Sequence, residues 1–346
     1  MSLKKDELYI KRCIELALKG AGKVSPNPMV GCVIVYNDKI IGEGYHKQYG
    51  GKHAEVNAIE SVKNQSLLKD SILYVNLEPC SHHGKTPPCC ELIVNKKIPK
   101  VVVGCKDYSK KVNGKGITYL KQNNVKVILH NSYNSKILNK RFFNFHKNNR
   151  PYIILKWAET KDGFIDLIRS NNHKGVNWIS TENTKILVHK WRAEEDAILV
   201  GRKTVENDNP ELTVREYKGI NPIRIVIDPD LKLNYDHKIF NNSSKTIILN
   251  RTQSKELDNM IFLNVGNKDI IKSSMKYLHE LKIISLIVEG GKKTIESFLD
   301  ANYWDEARVI QGDKKFNNGI KAPNLNRKYS NVDFLGKDRV YTFFND

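Results

Sequence analysis

The chain has 346 residues, and at about 100 to 200 residues per domain that length excludes a peptide or disulfide miniprotein and fits two domains, each able to bury its own core. Hydrophobic residues make up 40 %, mean hydropathy is -0.49, and no stretch reaches the roughly 18 consecutive apolar residues of a membrane helix, so no membrane partner is expected. The formal charge of +19 suggests an anionic partner, but 45 lysines against 12 arginines make the surplus lysine-driven and dispersed, which argues for solvated surface rather than a nucleic-acid face.

The opening run Met1-Ser2-Leu3-Lys4-Lys5-Asp6-Glu7-Leu8 has no apolar core and no small-residue cleavage site, so no signal peptide and a cytoplasmic setting are expected. Residues 6–19 carry Leu8, Ile10, Ile14, Leu16 and Leu18 among charges and predict a helix, which Gly20-Ala21-Gly22 stops. Strands follow at 30–36 and 39–45, joined by Asn37-Asp38, a pair suited to a tight hairpin turn. Residues 53–62 predict a helix, 71–77 a strand, 89–95 a helix and 100–104 a strand, an α/β alternation. The polar run His146-Lys147-Asn148-Asn149-Arg150-Pro151 lacks apolar periodicity and separates domains expected at 1–146 and 151–346. Beyond it, strands are predicted at 152–157, 197–201, 223–228, 246–250 and 283–289, with a helix near 181–191.

All six cysteines (Cys13, Cys32, Cys80, Cys89, Cys90, Cys105) fall in the first third, a poor pattern for stapling the chain and a better one for metal ligands or core thiols. His53-Ala54-Glu55 opens one helix, and a later strand ends in Glu78-Pro79-Cys80-Ser81-His82-His83-Gly84-Lys85-Thr86-Pro87-Pro88-Cys89. One His and two Cys suit zinc with a fourth position open, the arrangement of a catalytic site. Zinc makes its bound water acidic, towards a pKa of about 7, but moves no protons; Glu55 can. His53 and Glu55 diverge in mid-helix, yet at a first turn both can reach an ion beyond the helix end, and Pro87-Pro88 place Cys89 at another helix start. Helix starts and the ion itself favour thiolate. The order H-x-E then P-C matches zinc nucleobase deaminases, but eight residues separate Cys80 from Cys89, unlike the short spacing of nucleic-acid editors. Residue type alone leaves Cys89 and the adjacent Cys90 as alternatives.

The second half has neither G-x-G-x-x-G after a strand nor G-x-x-x-x-G-K-[ST]. It has Val288-Glu289-Gly290-Gly291 closing an apolar strand, then Lys292-Lys293-Thr294 and a helical stretch from Ile295 to Leu299. Such a turn is either a plain tight turn or a phosphate cradle at a helix start.

Ser25-Pro26-Asn27-Pro28-Met29-Val30-Gly31, Gly42-Glu43-Gly44-Tyr45-His46, His53-Ala54-Glu55 and the run from Glu78 to Cys89 together resemble the bacterial bifunctional riboflavin-biosynthesis deaminase/reductase family, and the resemblance covers nearly the whole chain. It implies an α/β protein: an N-terminal zinc cytidine-deaminase-like three-layer domain and a C-terminal dihydrofolate-reductase-like α/β domain. It implies Zn2+ held by His53, Cys80 and Cys89, Glu55 as proton donor and acceptor, and a pyrimidine pocket lined by Asn27, His46 and His82, the last equally readable as a loop histidine. In the second domain Lys156-Trp157-Ala158-Glu159-Thr160-Lys161-Asp162-Gly163 is similar to the family's first strand and turn. The resemblance assigns NADPH to Ala158, Trp178, Thr204, Asp208, Gly291, Lys292, Lys293, Thr294 and Ile295. It assigns the phosphorylated small-molecule substrate to Lys156, Arg192, Leu212, Arg215 and Glu289, with Arg suited to bidentate phosphate binding. Asp208 could orient substrate, relay a proton or simply hydrogen-bond. Val176 stands where the family usually has a substrate-contacting Ser, and Thr160 keeps the hydroxyl of a usual Ser. Homo-oligomerisation is implied by the resemblance alone. Rival readings are a deaminase whose second domain is altered through Val176 and, from the charge, an RNA-binding or RNA-editing protein.

Overall fold

A computed structural model describes residues 3–84, 87–109, 112–169, 175–266 and 269–345, so Lys85 and Thr86 of the cysteine-bearing run lie outside the described residues. The chain divides into two compact units, residues 1–149 and 150–346.

The first unit holds α1 (Leu3–Leu18), β1 (Gly31–Tyr36), β2 (Lys39–Tyr45), α2 (Ala54–Ser61), β3 (Ile72–Leu77), α3 (Cys89–Asn95), β4 (Lys100–Cys105), α4 (Lys115–Gln122), β5 (Lys126–Leu129), α5 (Tyr133–Leu138) and α6 (Lys140–Asn148). Its five-stranded sheet runs β2-β1-β3-β4-β5, with β1 antiparallel to both neighbours and β3, β4 and β5 parallel. The hairpin predicted at Asn37-Asp38 forms with φ of 46° and 60°, the left-handed conformation that such turns need and Asn and Asp tolerate. Strands β3 and β4 are apolar without alternation because helices cover both faces. One face packs Ile10, Cys13 and Leu16 of α1 on Val33, Tyr74 and Val102; the other packs Ala58, Ile59, Ile93 and Leu120 of α2, α3 and α4 on Ile34, Val75 and Val103. The result is three layers. α2 lies close on β2 because a Cβ on Gly44 would stand 2.2 Å from the Ala58 nitrogen, so only glycine fits there. α6 runs further into the polar stretch at 146–151 than periodicity suggests, because Phe142 and Phe145 are buried upstream and Asn148 donates to Asn144 (2.6 Å) across its last turn.

The second unit begins with β6 (Tyr152–Glu159), β7 (Phe164–Asp166), α7 (Glu182–Glu194), β8 (Ala197–Gly201), α8 (Arg202–Asp208), β9 (Ile223–Ile227), β10 (Thr246–Asn250), β11 (Lys255–Leu257) and β12 (Met260–Asn264). It continues through α9 (Ile270–Glu280), β13 (Ser285–Gly290), α10 (Lys292–Asp300), β14 (Glu306–Gln311), β15 (Ile320–Lys321), β16 (Asn331–Leu335) and β17 (Asp338–Phe344). A ten-stranded sheet has the order β11-β12-β10-β9-β8-β13-β6-β14-β17-β16. From β12 to β14 every pairing is parallel, and β11, β17 and β16 add antiparallel edges. Strands β7 and β15 pair separately. The central strands β8 and β13 bury both faces, which accounts for their unbroken Ala-Ile-Leu-Val and Leu-Ile-Val sequences. No described helix is long and apolar enough to cross a membrane.

Candidate active sites

In the first unit, β3 delivers the chain into the Glu78-Pro79-Cys80 turn, and Glu78 fixes that turn. Its buried carboxylate accepts four backbone N–H groups, from Asp107 and Gly114 at Oε2 (3.1 Å each) and from Gly116 (3.0 Å) and Ile117 (3.2 Å) at Oε1. Cys89 is the first residue of α3, and its N–H donates to Cys80 Sγ (3.4 Å). His53 is the N-cap of α2, with Nδ1 3.5 Å from Cys80 Sγ and 3.4 Å from Cys89 Sγ. The three donor atoms lie within 4.8 Å of one another. The Cys80 thiol is pushed down to about 4, first by the Cys89 thiol donating to it and then by His53, against its own burial; the same Cys89–Cys80 bond and burial push Cys89 up. A soft, partly ionised N/S/S set with this convergence fits zinc. Cys90 turns the other way, its buried Sγ donating to Pro79 O (3.4 Å) and Gly116 O (3.5 Å).

Glu55, on the first turn of α2, is 3 % exposed, and burial raises its pKa. His46 stands edge-on to His53 with ring centroids 5.4 Å apart. Its Nδ1 donates to Lys52 O (3.0 Å) and its Nε2 accepts from Asn27 Nδ2 (3.1 Å), while burial lowers its pKa, so the ring is neutral. His82 has a buried Nδ1 with no hydrogen-bond partner among the described residues. The loop carrying Asn27 is clasped at Met29, whose N–H donates to Asn139 Oδ1 (2.8 Å) and whose carbonyl accepts from Asn139 (3.0 Å) and Asn76 (3.1 Å). Sequence reasoning gave no role to Glu78, Asn76 or Asn139, although Glu78 lies in the motif run and Asn76 interrupts an otherwise apolar strand, where the fold buries it fully.

In the second unit, β6, β13 and α7 meet at a largely buried charge cluster. Glu289 accepts from Arg192 Nη2 (2.9 Å) and pairs with Lys156 Nζ (3.4 Å). Burial works to raise the Glu289 pKa, but Arg192 and then Lys156 outweigh it and hold the carboxyl at about 2; burial lowers that of Lys156. Arg192 Nη1 donates to Thr213 O (3.3 Å), and its Nε is a buried N–H without a partner among the described residues. Arg215, half-exposed, donates to Glu211 Oε2 (3.0 Å) and Thr213 Oγ1 (2.9 Å), and Leu212 is buried between them in sequence.

At the ends of β8 and β13, the starts of α8 and α10 interlock. A Cβ on Gly201 would lie 2.5 Å from Thr294 Oγ1 and one on Gly291 3.3 Å from Thr204 Oγ1, so Thr204, Gly291 and Thr294 share one locus. Ile295 belongs to the hydrophobic core, leaving its backbone as its contribution there, while Lys292 pairs with Glu296 (3.5 Å) and Lys293 is exposed on the same turn. Ala158 sits near the end of β6, partly buried. Trp178 is half-exposed, with Lys185 Nζ 5.1 Å from its ring centroid, and Val176 nearby is also exposed. Asp208 is engaged by Arg169 (2.7 Å), itself bonded to Asp166 (2.7 Å), a partnership that sequence reasoning did not include.

A His/Cys/Cys donor set beside a buried Glu on a three-layer α/β unit fits a zinc deaminase, joined here to a second, mostly parallel-sheet unit. Residues 3–105 match the cytidine and deoxycytidylate deaminase zinc-binding region, and residues 151–314 match the RibD C-terminal domain. The chain is 34 % identical to the riboflavin biosynthesis protein RibD of Aquifex aeolicus over 98 % of both chains, and 34 % identical to that of Escherichia coli over 88 % of this chain and 86 % of that one. A crystal structure from Thermotoga maritima, described as a diaminohydroxyphosphoribosylaminopyrimidine deaminase/5-amino-6-(5-phosphoribosylamino)uracil reductase, superposes with a TM-score of 0.89 at 33 % identity over 98 % of both chains. The chain belongs to the RibD family of bifunctional riboflavin-biosynthesis enzymes, combining a zinc deaminase with an NADPH-dependent reductase.

Proposed function

We propose that residues 1–146 catalyse hydrolytic deamination of 2,5-diamino-6-(5-phosphoribosylamino)pyrimidin-4-one, and that residues 151–346 reduce the deaminated ribosyl compound to 5-amino-6-(5-phosphoribitylamino)uracil. The observation that carries this reading is the convergence of the His53, Cys80 and Cys89 donors near the buried Glu55, in a chain matching a RibD relative over 98 % of its length.

In the first domain His53, Cys80 and Cys89 hold zinc, whose Lewis acidity lets water act as a nucleophile near neutral pH. Glu55 accepts a proton from the attacking water and passes it to the pyrimidine ring nitrogen, then takes the remaining proton of the added hydroxyl and delivers it to the amino group, which leaves as ammonia. A carboxyl whose pKa burial raises is suited to carry a proton between those steps. Asn27 and His46 orient the pyrimidine, supported by the fixed neutral tautomer of His46, and the buried Nδ1 of His82, without a partner among the described residues, supports a place for it in the same pocket.

The second domain would hold NADPH, whose chemistry is hydride donation, here to C1 of the opened ribosyl imine, with the imine nitrogen taking its proton from solvent. Ala158, Trp178, Thr204, Asp208, Gly291, Lys292, Lys293, Thr294 and Ile295 bind the cofactor, with support from the shared locus of Thr204, Gly291 and Thr294. Lys156, Glu289, Arg192, Leu212 and Arg215 bind the ribosyl phosphate, supported by the buried Nε of Arg192, a donor without an acceptor among the described residues. The setting is cytoplasmic, supported by six cysteines none of which forms a disulfide, no nucleic acid is bound, and the enzyme is a homo-oligomer by family likeness. Chelation tests the division of labour. It abolishes ammonia release while NADPH oxidation on pre-deaminated substrate persists; loss of both together contradicts the separate assignment, and absent NADPH oxidation in the untreated protein favours a reductase disabled at Val176.

A further inference from the structure

One face of α7 grips the chain segment 213–215 at two points. His189 and Arg192, three residues apart on the helix, lie on the same side. Arg192 Nη1 donates to Thr213 O (3.3 Å), and the Arg215 backbone N–H donates to His189 Nδ1 (3.0 Å). The neighbouring N–H, of Val214, is taken by Asn221 Oδ1 (2.9 Å). Upstream, Leu212 adopts φ of +56°, a left-handed conformation a non-glycine residue holds only when its surroundings enforce it, and its side chain is 3 % exposed in the core. The Arg215 backbone is therefore fixed by side chains from outside its own segment, whereas its side chain is 45 % exposed and its guanidinium donates only to Glu211 Oε2 and Thr213 Oγ1 of that same segment among the described residues.

We propose that His189 is a positioning residue of the ribosyl-phosphate subsite, acting as a neutral Nδ1 acceptor that fixes the Arg215 backbone so that its guanidinium meets the phosphate. The inference rests on the reading that Arg192 and Arg215 bind that phosphate. An imidazole nitrogen accepting an N–H cannot carry a proton, so the single ring proton sits on Nε2. The environment enforces this state: the His189 ring is 2 % exposed, and burial, then the Arg192 and Arg215 charges, with a smaller push from Lys185, hold its pKa down to about 4 against the opposing pull of Glu289. A cation there would set N–H against N–H and add charge beside two guanidinium groups.

The test compares His189→Leu, His189→Asn, His189→Gln and Arg215→Ala in NADPH-oxidation assays on pre-deaminated substrate, with ribose 5-phosphate as a competitive inhibitor and tryptophan fluorescence confirming that each variant is folded. Removing the acceptor raises KM and weakens inhibition about tenfold, with the loss falling on KM rather than kcat. Asn, whose Oδ1 reaches the place of Nδ1, recovers most of the loss, and Gln, which extends towards Nε2, does not. His189→Leu with unchanged KM and inhibition, a loss confined to kcat, or equal recovery by Gln and Asn overturns the proposal. If Arg215→Ala itself leaves KM and inhibition unchanged, the phosphate assignment fails; if Arg215→Ala weakens both and His189→Leu does not, the role of His189 alone fails.

Discussion

Replacing Glu289 by Gln removes one negative charge from between two largely buried cations while keeping the shape of the side chain. At an effective dielectric of about 20, the 2.9 Å contact to Arg192 and the 3.4 Å contact to Lys156 correspond to attractions of about 6 and 5 kcal/mol. Desolvation of all three groups offsets much of that. The remainder is visible in the carboxyl itself, held at about 2 instead of the ordinary 4.5, which corresponds to about 3 kcal/mol favouring the charged form in the folded protein. Because the folded value lies below the unfolded one, this contribution is complete above about pH 4.5 and is lost as pH falls towards 2. All four tryptophans, Trp157, Trp178, Trp191 and Trp304, lie in the second unit, so their fluorescence reports its unfolding alone. Urea titration at neutral pH is expected to show Glu289→Gln less stable by about 3 kcal/mol, a midpoint lower by about 1 M, with the gap narrowing by about a third near pH 3.5. A variant within about 0.5 kcal/mol of the parent at neutral pH, or a gap independent of pH, refutes the charge-cluster argument.

Other expectations follow from the first unit and from the charge. Glu55→Gln lowers deamination at least about a hundredfold while zinc content is retained, and normal turnover removes Glu55 from the proton shuttle. Cys89→Ala loses zinc measured by metal analysis, whereas Cys90→Ala, whose thiol faces Pro79 O and Gly116 O, keeps it; the reverse result exchanges the two assignments. If dispersed lysine helps draw in anionic substrates, kcat/KM falls as ionic strength rises from about 0.01 to 0.15 M, and a flat dependence leaves the +19 charge without that role.

The sequence was most legible where a local rule sufficed. Strands β2, β8 and β10 and helix α3 have the bounds that apolar runs and flanking turn residues predict, and Asn37-Asp38 makes the expected hairpin. The family motifs pointed to His53, Cys80 and Cys89, which the fold brings within 4.8 Å from two helix starts and a strand end. What stayed hidden depends on partners remote in sequence. The Glu78 carboxylate looks like one more motif residue until amides of residues 107, 114, 116 and 117 converge on it. Met29 is clasped by Asn139, 110 residues away, and Arg192 meets Glu289 across 97. Periodicity reports which face is buried, not which polar groups meet there. The edge strand β16, exposed along most of its length, and the short β11 and β15 carry too little pattern to be read at all.

The central claim is that one chain performs two successive reactions on one phosphorylated pyrimidine. Mass spectrometry of the products formed by zinc-replete protein tests it most directly. Without NADPH the substrate should be converted to the product in which an amino group is replaced by a carbonyl, with release of ammonia, and to nothing further. With NADPH the same product should gain two hydrogens, one of them carried by C1 of the ribosyl chain. Reduction of the substrate before deamination, or a product that stays unreduced in the presence of NADPH, contradicts the account.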